Sequence, residues 1–291
     1  MNATAPPDPL HLLPHQRGRG RFWIALGRAL GALAWLLRVR RRVVEENLAR
    51  AFPQRTAGER RALAREVYRA LGTSLGEMLL ARGIGDAELA AWVSFDGFDR
   101  YERAAAPGKG VLVVIGHFGN WELLGRACAR RGVRMATIVR KMNGWANRKI
   151  AAARAESGFA QLADRGSSGQ ALALLRAGGV LAIAVDQNMR EKRGVFVDFF
   201  GQPACTTPAA AVYALRAGAP ILAAFPVRQP DGRHVVQVLG PFAPRDGLHG
   251  HAAVLDLTQQ LTRAVEEIVR AHPEQWFWLH RRWKTQPRSS G

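Results

Sequence analysis

A run of five aliphatic residues, Val111 to Ile115, followed by glycines, a histidine and an asparagine, is the feature that most constrains the fold of this chain. Such an unbroken aliphatic run predicts a buried strand, and the segment Gly116 to Asn120 after it predicts a turn into a helix. Segments of these two kinds alternate along the rest of the chain. This alternation predicts an α/β fold with a mostly parallel central sheet covered by helices.

The same two patterns place the other elements. Aliphatic runs predict strands near 111–116, 135–140, 180–186, 220–227 and 234–239. Helical periodicity predicts the covering helices near 120–131, 145–157, 168–177, 207–217 and 252–271. Upstream, two further helices are expected between Arg42 and about Arg82, with a break at Phe52-Pro53.

Three regions are expected along the chain. Residues 1–21 are rich in Pro, His and Arg without periodicity, which predicts a tail that lacks fixed structure. Residues 22–95 are expected to form a helical, membrane-associating region. Residues 96–291 are expected to form the α/β core.

An amphipathic helix is predicted over residues 22–39. Arg21 and Arg28 fall opposite its apolar positions, which recur at helical spacing and are Phe22, Leu26, Leu30, Leu33 and Leu37. A basic cluster at 38–42 follows, and an apolar face beside cations is typical of an interfacial membrane anchor. A spanning helix is disfavoured, because a central arginine costs about 2.5–3.5 kcal/mol on insertion scales. The alternative is a core helix followed by a solvated, charged one.

The composition limits the partners of this chain. It has 42 Lys and Arg against 23 Asp and Glu, a net charge of +19, so its surface favours nucleic acid, anionic lipid or an acidic protein. No nucleic-acid module is recognisable, and we expect no nucleic-acid partner. The two cysteines, Cys128 and Cys205, exclude a disulfide scaffold and a cysteine-rich metal site. A nucleic-acid-binding protein and a non-catalytic membrane scaffold stay as alternatives to an enzyme.

His117 ends the strand predicted at 111–116, where ligands gather in open α/β folds. If Asn120 caps the next helix, Glu122 lies in its first turn, where the helix dipole favours an ionised carboxylate. A carboxylate that holds one ring nitrogen of His117 leaves the other nitrogen to take a proton from a hydroxyl. This spacing indicates a general base and its orienting acid. The alternative is a polar strand-end residue followed by a favourable first-turn residue.

The segment GHFGNWELLG at 116–125 resembles the His-x4-Asp/Glu motif of the lysophospholipid acyltransferase superfamily, in the form found in the bacterial lipid A late acyltransferases. Four further segments agree with that family in order and content, which extends the resemblance from about residue 27 to 287. They are RRVVEENLARAFP at 41–53, the Asp186-Gln187 pair, GVFVDFFGQPACTTPAA at 194–210 and PEQWFWLHRRWKTQP at 273–287. The resemblance implies a glycerolipid acyltransferase-like fold.

The resemblance also implies an activity. Family members transfer a fatty acyl chain from a thioester, of acyl carrier protein or coenzyme A, to a hydroxyl of a lipid A precursor at the cytoplasmic face of the inner membrane. His117 would be the base and Glu122 would orient it, without a metal or other cofactor. The polar residues 1–21 replace the apolar segment usual in the lipid A branch, so we expect a peripheral or monotopic enzyme. A lysophospholipid, an ornithine lipid or another glycolipid is the alternative acceptor.

Four further residues are substrate-binding candidates. Arg154, within the predicted helix, matches the family's functional arginine, and Arg140 ends the preceding strand. Either guanidinium would bind a phosphate or a developing oxyanion through two parallel hydrogen bonds; the alternative is a solvated charge. Asp186 would steer Arg154 or the acceptor, or cap the next turn. The fourth substrate-binding candidate is Asn120.

The stretch from Trp276 to Lys284 mixes aromatic and cationic residues. It predicts either an interfacial rim that holds anionic lipid or a last strand or turn packed under the core with exposed arginines. His280, within this stretch, is expected to have a structural role.

Overall fold

The computed structural model describes residues 13–133, 135–139, 159–164 and 166–287. In these ranges a seven-stranded sheet is flanked by helices, with more helices at the N-terminal end. The predicted α/β class is therefore confirmed. The strands are β1 Val93–Asp96, β2 Val111–Ile115, β3 Met135–Val139, β4 Phe159–Ala163, β5 Val180–Ala184, β6 Val195–Phe199, β7 Gln202–Thr206, β8 Ile221–Arg228 and β9 His234–Phe242.

The sheet has the order β1-β9-β8-β2-β5-β3-β4. Neighbouring strands from β8 to β4 run parallel, whereas β9 is antiparallel to β8 and parallel to β1. β6 and β7 pair separately as an antiparallel ribbon. Because β2 lies between β8 and β5, the residues that follow β2 and β5 meet at the same carboxyl edge.

Helices cover this sheet, and they include most of the helices that were predicted from the sequence. The helix predicted at 145–157 lies outside the described residues. The described helices are α1 Gly18–Leu36, α2 Arg41–Ala51, α3 Ala57–Ala81, α4 Asp86–Trp92, α5 Phe98–Ala105, α6 Trp121–Arg130, α7 Ser168–Arg176, α8 Ala209–Ala217 and α9 Gly250–Ala271.

Some boundaries differ from the sequence prediction. A 3-10 helix covers Pro14–Gln16 and α1 begins at Gly18, so part of the tail predicted to lack structure is ordered. β1 lies within the predicted helical region but pairs with β9. β1 and β4 are the short edge strands of the sheet and β6–β7 is a separate ribbon, and the sequence patterns predicted none of these four. Short edge strands bury few residues, so their hydrophobic signal is weak.

Helix α1 packs on α3 through glycines. Gly27 and Gly31 of α1 face Gly72 and Gly76 of α3, and all four are buried. A Cβ atom added at Gly27 or at Gly72 would overlap the carbonyl oxygen of the other residue. The two backbones therefore approach more closely than helices with larger side chains would allow.

The opposite face of α1 is apolar and exposed. Leu33 and Leu36 have 48% and 72% of their surface exposed. The other large exposed apolar residues of this segment are Phe22, Leu30, Leu37 and Val39. The alternative of a core helix does not fit this orientation, because α1 buries its glycines and Ile24 instead of its leucines.

The length and composition of α1 bear on whether it could span a membrane. No described helix is by itself both long and apolar enough to span a bilayer. Taken together, α1 and α2 have the required length and composition, with a bend of 89° at the break between them.

The glycine contact predicts that Gly72→Ala destabilises the fold. The added methyl group meets backbone, so the two helices must separate, at a cost of about 1–3 kcal/mol in the free energy of unfolding. Gly58→Ala in the same helix is the matched control, since its Cβ finds only the Thr56 hydroxyl, at 3.9 Å. Denaturant unfolding measures both variants. Equal stability of Gly72→Ala and the wild type would contradict the close packing.

Candidate active site

His117 and Asp186 meet because of the register between β2 and β5. Ile115 is paired with Ala184 across these parallel strands. His117 and Asp186 each follow two residues later, so both leave the same edge of the sheet side by side. This is the edge at which open α/β folds bind their ligands.

The Asp186 carboxylate receives three hydrogen bonds. Its Oδ1 lies 2.8 Å from Nδ1 of His117, and its Oδ2 accepts from the His117 backbone N–H at 2.7 Å. The indole N–H of Trp276 also donates to Oδ2, at 2.8 Å. The Asp186 side chain is 1% exposed and the His117 side chain is 30% exposed. The acid is thus buried beneath a ring that reaches solvent.

These contacts keep Asp186 ionised. Burial alone would raise its pKa, but the charge of His117 and the hydrogen bonds from His117 and Trp276 lower the pKa of Asp186 to about 2. An ionised carboxylate accepts only, so Nδ1 of a neutral His117 carries the proton. The lone pair of the imidazole is then on Nε2, which makes Nε2 the basic atom.

The C-terminal stretch builds the floor of this site. Phe118 and Trp276 form a β-bridge, and the Phe277 N–H donates to the His117 carbonyl at 2.9 Å. The tryptophans at 276, 278 and 283 are all buried, which fits the alternative of a last segment packed under the core. Arg281 is exposed, but Arg282 is fully buried and donates to the Cys205 carbonyl, contrary to the expectation that these arginines face solvent.

His280 supports a neighbouring backbone. Its Nε2 accepts from the Asn188 N–H at 3.0 Å. Burial lowers the pKa of His280 to about 4, so its ring is neutral at physiological pH and can accept this bond. These contacts are consistent with the expected structural role.

Asn120 caps α6 as predicted. Its Oδ1 accepts from the Leu123 N–H at 3.3 Å, and its Nδ2 donates to Oε2 of Glu77 at 3.0 Å. Asn120 is only 3% exposed. It therefore lies beneath the site and holds the turn, and substrate binding by this residue stays a prediction.

A buried ion pair anchors that cap. Arg228 donates to both Glu77 oxygens, with Nε–Oε1 of 2.6 Å and Nη2–Oε2 of 2.8 Å. Burial opposes ionisation of Glu77, but the charges of Arg228 and His234 hold the pKa of Glu77 far below its usual range. Neither Glu77 nor Arg228 was among the site residues predicted from the sequence. The available signal was a single acid within the apolar stretch LGTSLGEMLLA of α3.

The turn between His117 and α6 depends on Gly119. This residue has a φ of +56°, and a Cβ atom there would overlap the Pro226 carbonyl oxygen. Its carbonyl accepts from the Ser74 hydroxyl at 3.2 Å, and its N–H donates to the Gln275 carbonyl at 2.8 Å. Ser74 of α3 and Gln275, just before the C-terminal stretch, thus fix the backbone that carries His117.

The remaining site residues predicted from the sequence are Glu122, Arg140 and Arg154. Glu122 lies in the first turn of α6, as expected, and its Oε1 accepts from the Trp121 indole N–H at 3.1 Å. The carboxylate on Nδ1 of His117 is that of Asp186, whereas the sequence spacing predicted that Glu122 would hold the ring. An orienting role for Glu122 stays a prediction. Arg140 and Arg154 lie outside the described residues.

Gln187 is a further polar residue at this edge. Its amide nitrogen lies 3.2 Å from Nε2 and 3.5 Å from Nδ1 of His117. Within the ranges that the structure describes, no three His, Cys, Asp or Glu side chains converge as metal ligands.

A family model described as bacterial lipid A biosynthesis acyltransferase matches residues 13–285. The chain belongs to this family. It is therefore an acyltransferase, and the family resemblance based on the five sequence segments is confirmed.

Individual relatives agree with this membership. The chain is 30% identical to a lipid A biosynthesis palmitoleoyltransferase of Escherichia coli (strain K12), over 90% of this chain and 85% of the relative. It is 29% identical to a lipid A biosynthesis lauroyltransferase of the same strain, with the same shares covered. A phosphatidylinositol mannoside acyltransferase of Mycobacterium tuberculosis (strain CDC 1551 / Oshkosh) is 26% identical, over 64% of this chain and 58% of the relative.

The geometry predicts that Asp186→Asn lowers the rate of acyl transfer by at least about 100-fold. The amide can donate to Nδ1, which would move the imidazole proton to Nε2 and remove the base. Asp246→Asn, at an exposed loop residue, is the matched control. The rate constant kcat of both variants measures the effect, and a wild-type rate in Asp186→Asn would contradict the assigned tautomer.

Proposed function

We propose that this acyltransferase moves a fatty acyl chain from the thioester of acyl carrier protein to a hydroxyl of a lipid A precursor at the cytoplasmic face of the inner membrane. The observation that carries the proposal is the 2.8 Å contact between Nδ1 of His117 and buried Asp186, with the ring partly exposed at the sheet edge. This arrangement can act as a general base. Direct attack by an acceptor hydroxyl fits such a site.

The reaction follows from the assigned tautomer. Nε2 of His117 takes the proton of the acceptor hydroxyl as its oxygen attacks the thioester carbonyl carbon. The tetrahedral intermediate collapses, the carbon–sulfur bond breaks and the thiolate leaves. The imidazolium returns its proton to the thiolate, which gives an ester and a free thiol. Asp186 stabilises the imidazolium and does not itself become protonated.

Other residues have proposed roles around this step. Glu122, in the first turn of α6, would orient His117 or the acceptor. Arg154 and Arg140 would bind the acceptor phosphate or the developing oxyanion, as the family resemblance implies. Asn120 keeps the turn in place through α6 and Glu77.

The charge of the chain supports the proposed donor and acceptor. The net charge is +19, and complementary charge speeds association with an acidic carrier protein. A lipid A precursor is also anionic. Coenzyme A is the alternative donor, since its thioester is chemically equivalent.

The N-terminal helices supply the proposed contact with the membrane. Arg38 and Arg40 follow α1 closely in the sequence. Both arginines are exposed, as are the leucines on the apolar face of α1. Apolar side chains beside cations fit a membrane surface rich in anionic lipid. We propose that the enzyme lies on the membrane through this face, as a peripheral or monotopic protein.

A second acceptor class has one supporting observation. One relative is named for phosphatidylinositol mannoside, so a different membrane glycolipid is the alternative acceptor. Mass spectrometry of total lipids from cells with and without the gene distinguishes the two, because the lipid that gains one acyl group identifies the acceptor.

The proposal predicts that His117→Ala and Glu122→Ala each lower acyl transfer by at least about 100-fold, as expected for loss of a base and of its orienting acid. Transfer from acyl carrier protein to a lipid A precursor is the assay. His251→Ala, at an exposed residue of α9, is the matched control and should keep the wild-type rate. Full activity of His117→Ala with unchanged folding would refute the mechanism.

The proposed membrane face predicts a loss of binding in the double variant Leu33→Glu, Leu36→Glu. Each leucine contributes about 1.5–3 kcal/mol when fully buried, so binding should weaken by at least about tenfold. Flotation with vesicles of phosphatidylethanolamine and phosphatidylglycerol measures it. Leu215→Glu, Leu255→Glu alters exposed leucines of α8 and α9 and serves as control. Equal loss in both double variants would contradict the assignment of this face.

A further inference from the structure

Gln187 lies beside His117 but has no role in the proposed mechanism. It follows Asp186 beyond β5 and is half-buried at the same edge of the sheet as His117. Its amide nitrogen is 3.2 Å from Nε2 of His117. It is thus a neutral hydrogen-bond donor beside the atom that acts as base.

The distances from the Gln187 amide nitrogen to the two ring nitrogens of His117 show on which side of the ring the amide lies. The nitrogen lies at nearly equal distances, 3.2 Å and 3.5 Å, from the two ring nitrogens of His117. An atom placed along the in-plane lone pair of Nε2 would be much farther from Nδ1. The Gln187 amide therefore lies over the face of the ring, away from the line on which an acceptor hydroxyl approaches Nε2.

The reaction develops negative charge on an oxygen in the same region as this amide. A hydroxyl bound to Nε2 has its oxygen about 2.8 Å away, and the carbonyl carbon that it attacks is about 3–3.5 Å farther at the start of the step. The carbonyl oxygen becomes an oxyanion as the new bond forms. A donor about 2.7–3.1 Å from that oxygen stabilises the transition state. The flexible Gln187 side chain can cover the remaining distance.

Neighbouring donors already have acceptors. The His117 N–H and the Trp276 indole N–H both donate to Asp186. The Asn188 amide donates to the Met189 carbonyl and to the Thr285 hydroxyl, at 3.0 Å each. Of these polar groups around His117, the Gln187 amide nitrogen is the one that lies 3.2 Å from Nε2, the basic atom.

We infer that Gln187 is a catalytic residue whose side-chain amide donates a hydrogen bond to the oxyanion of the tetrahedral intermediate. The inference rests on the proposed acyl transfer and assigns it an oxyanion donor. No bond of Gln187 is made or broken, and its N–H stabilises the oxygen only while that oxygen carries charge.

The test compares Gln187→Ala and Gln187→Glu with the wild type. Both remove the amide donor, and Glu keeps the shape of the side chain. We expect kcat to fall by about 100- to 1000-fold, as for other oxyanion donors, with little change in KM and in melting temperature. Gln170→Ala, at an exposed residue of α7, is the matched control and should retain the wild-type kcat.

Two further measurements distinguish a catalytic role from a role in holding the imidazole. An alkylphosphonate ester of pantetheine mimics the tetrahedral intermediate, and its affinity should fall with kcat/KM in Gln187→Ala. The apparent pKa in the profile of kcat/KM against pH should stay the same. A shifted profile with unchanged phosphonate affinity would overturn the inference, as would a wild-type kcat in Gln187→Ala.

The outcome for the wild type separates this inference from the proposed function. If the wild type transfers acyl groups and His117→Ala does not, the proposed function holds and the Gln187 variants decide the inference. If the wild type transfers no acyl group to any lipid, the proposed function fails and the inference fails with it.

Discussion

The hydrogen bond between His117 and Asp186 is the interaction on which the rest of the site depends. A carboxylate that is 1% exposed is costly unless its oxygens are satisfied, and here three donors from two parts of the chain satisfy them. Burial strengthens these bonds because water does not compete. The same bonds fix the imidazole proton on Nδ1, so one arrangement explains both the stability of the acid and the basicity of the ring.

The N-terminal helices and the catalytic turn are connected through α3. One part of α3 packs against α1 by the contacts of Gly72 and Gly76, and the same helix presents Ser74 and Glu77 to the turn after His117. The exposed apolar face of α1 is thus separated from the turn by a single helix. The buried ion pair between Glu77 of α3 and Arg228 joins this helix to β8 next to the turn. Loss of one partner of such a buried pair leaves an uncompensated charge, which is strongly destabilising.

The sequence predicted the features that depend on local pattern. The five principal strands, the cap at Asn120 and the position of His117 at a strand end all follow from periodicity and turn chemistry within a few residues. The partner of His117 was assigned to Glu122 because it is near in sequence, whereas the acid found on Nδ1 is Asp186, 69 residues away. That contact depends on the β2–β5 register, and the Trp276 contact depends on the path of the C-terminal stretch. Neither leaves a local signal.

Nitrogen NMR of the His117 ring tests the central claim most directly. In protein labelled with ¹⁵N-histidine, at a pH where the ring is neutral, the account predicts a proton on Nδ1 and an unprotonated Nε2. In Asp186→Asn the preference for this tautomer should disappear. A ring protonated on Nε2 in the wild type would contradict the account, because that nitrogen could not take a proton from the acceptor.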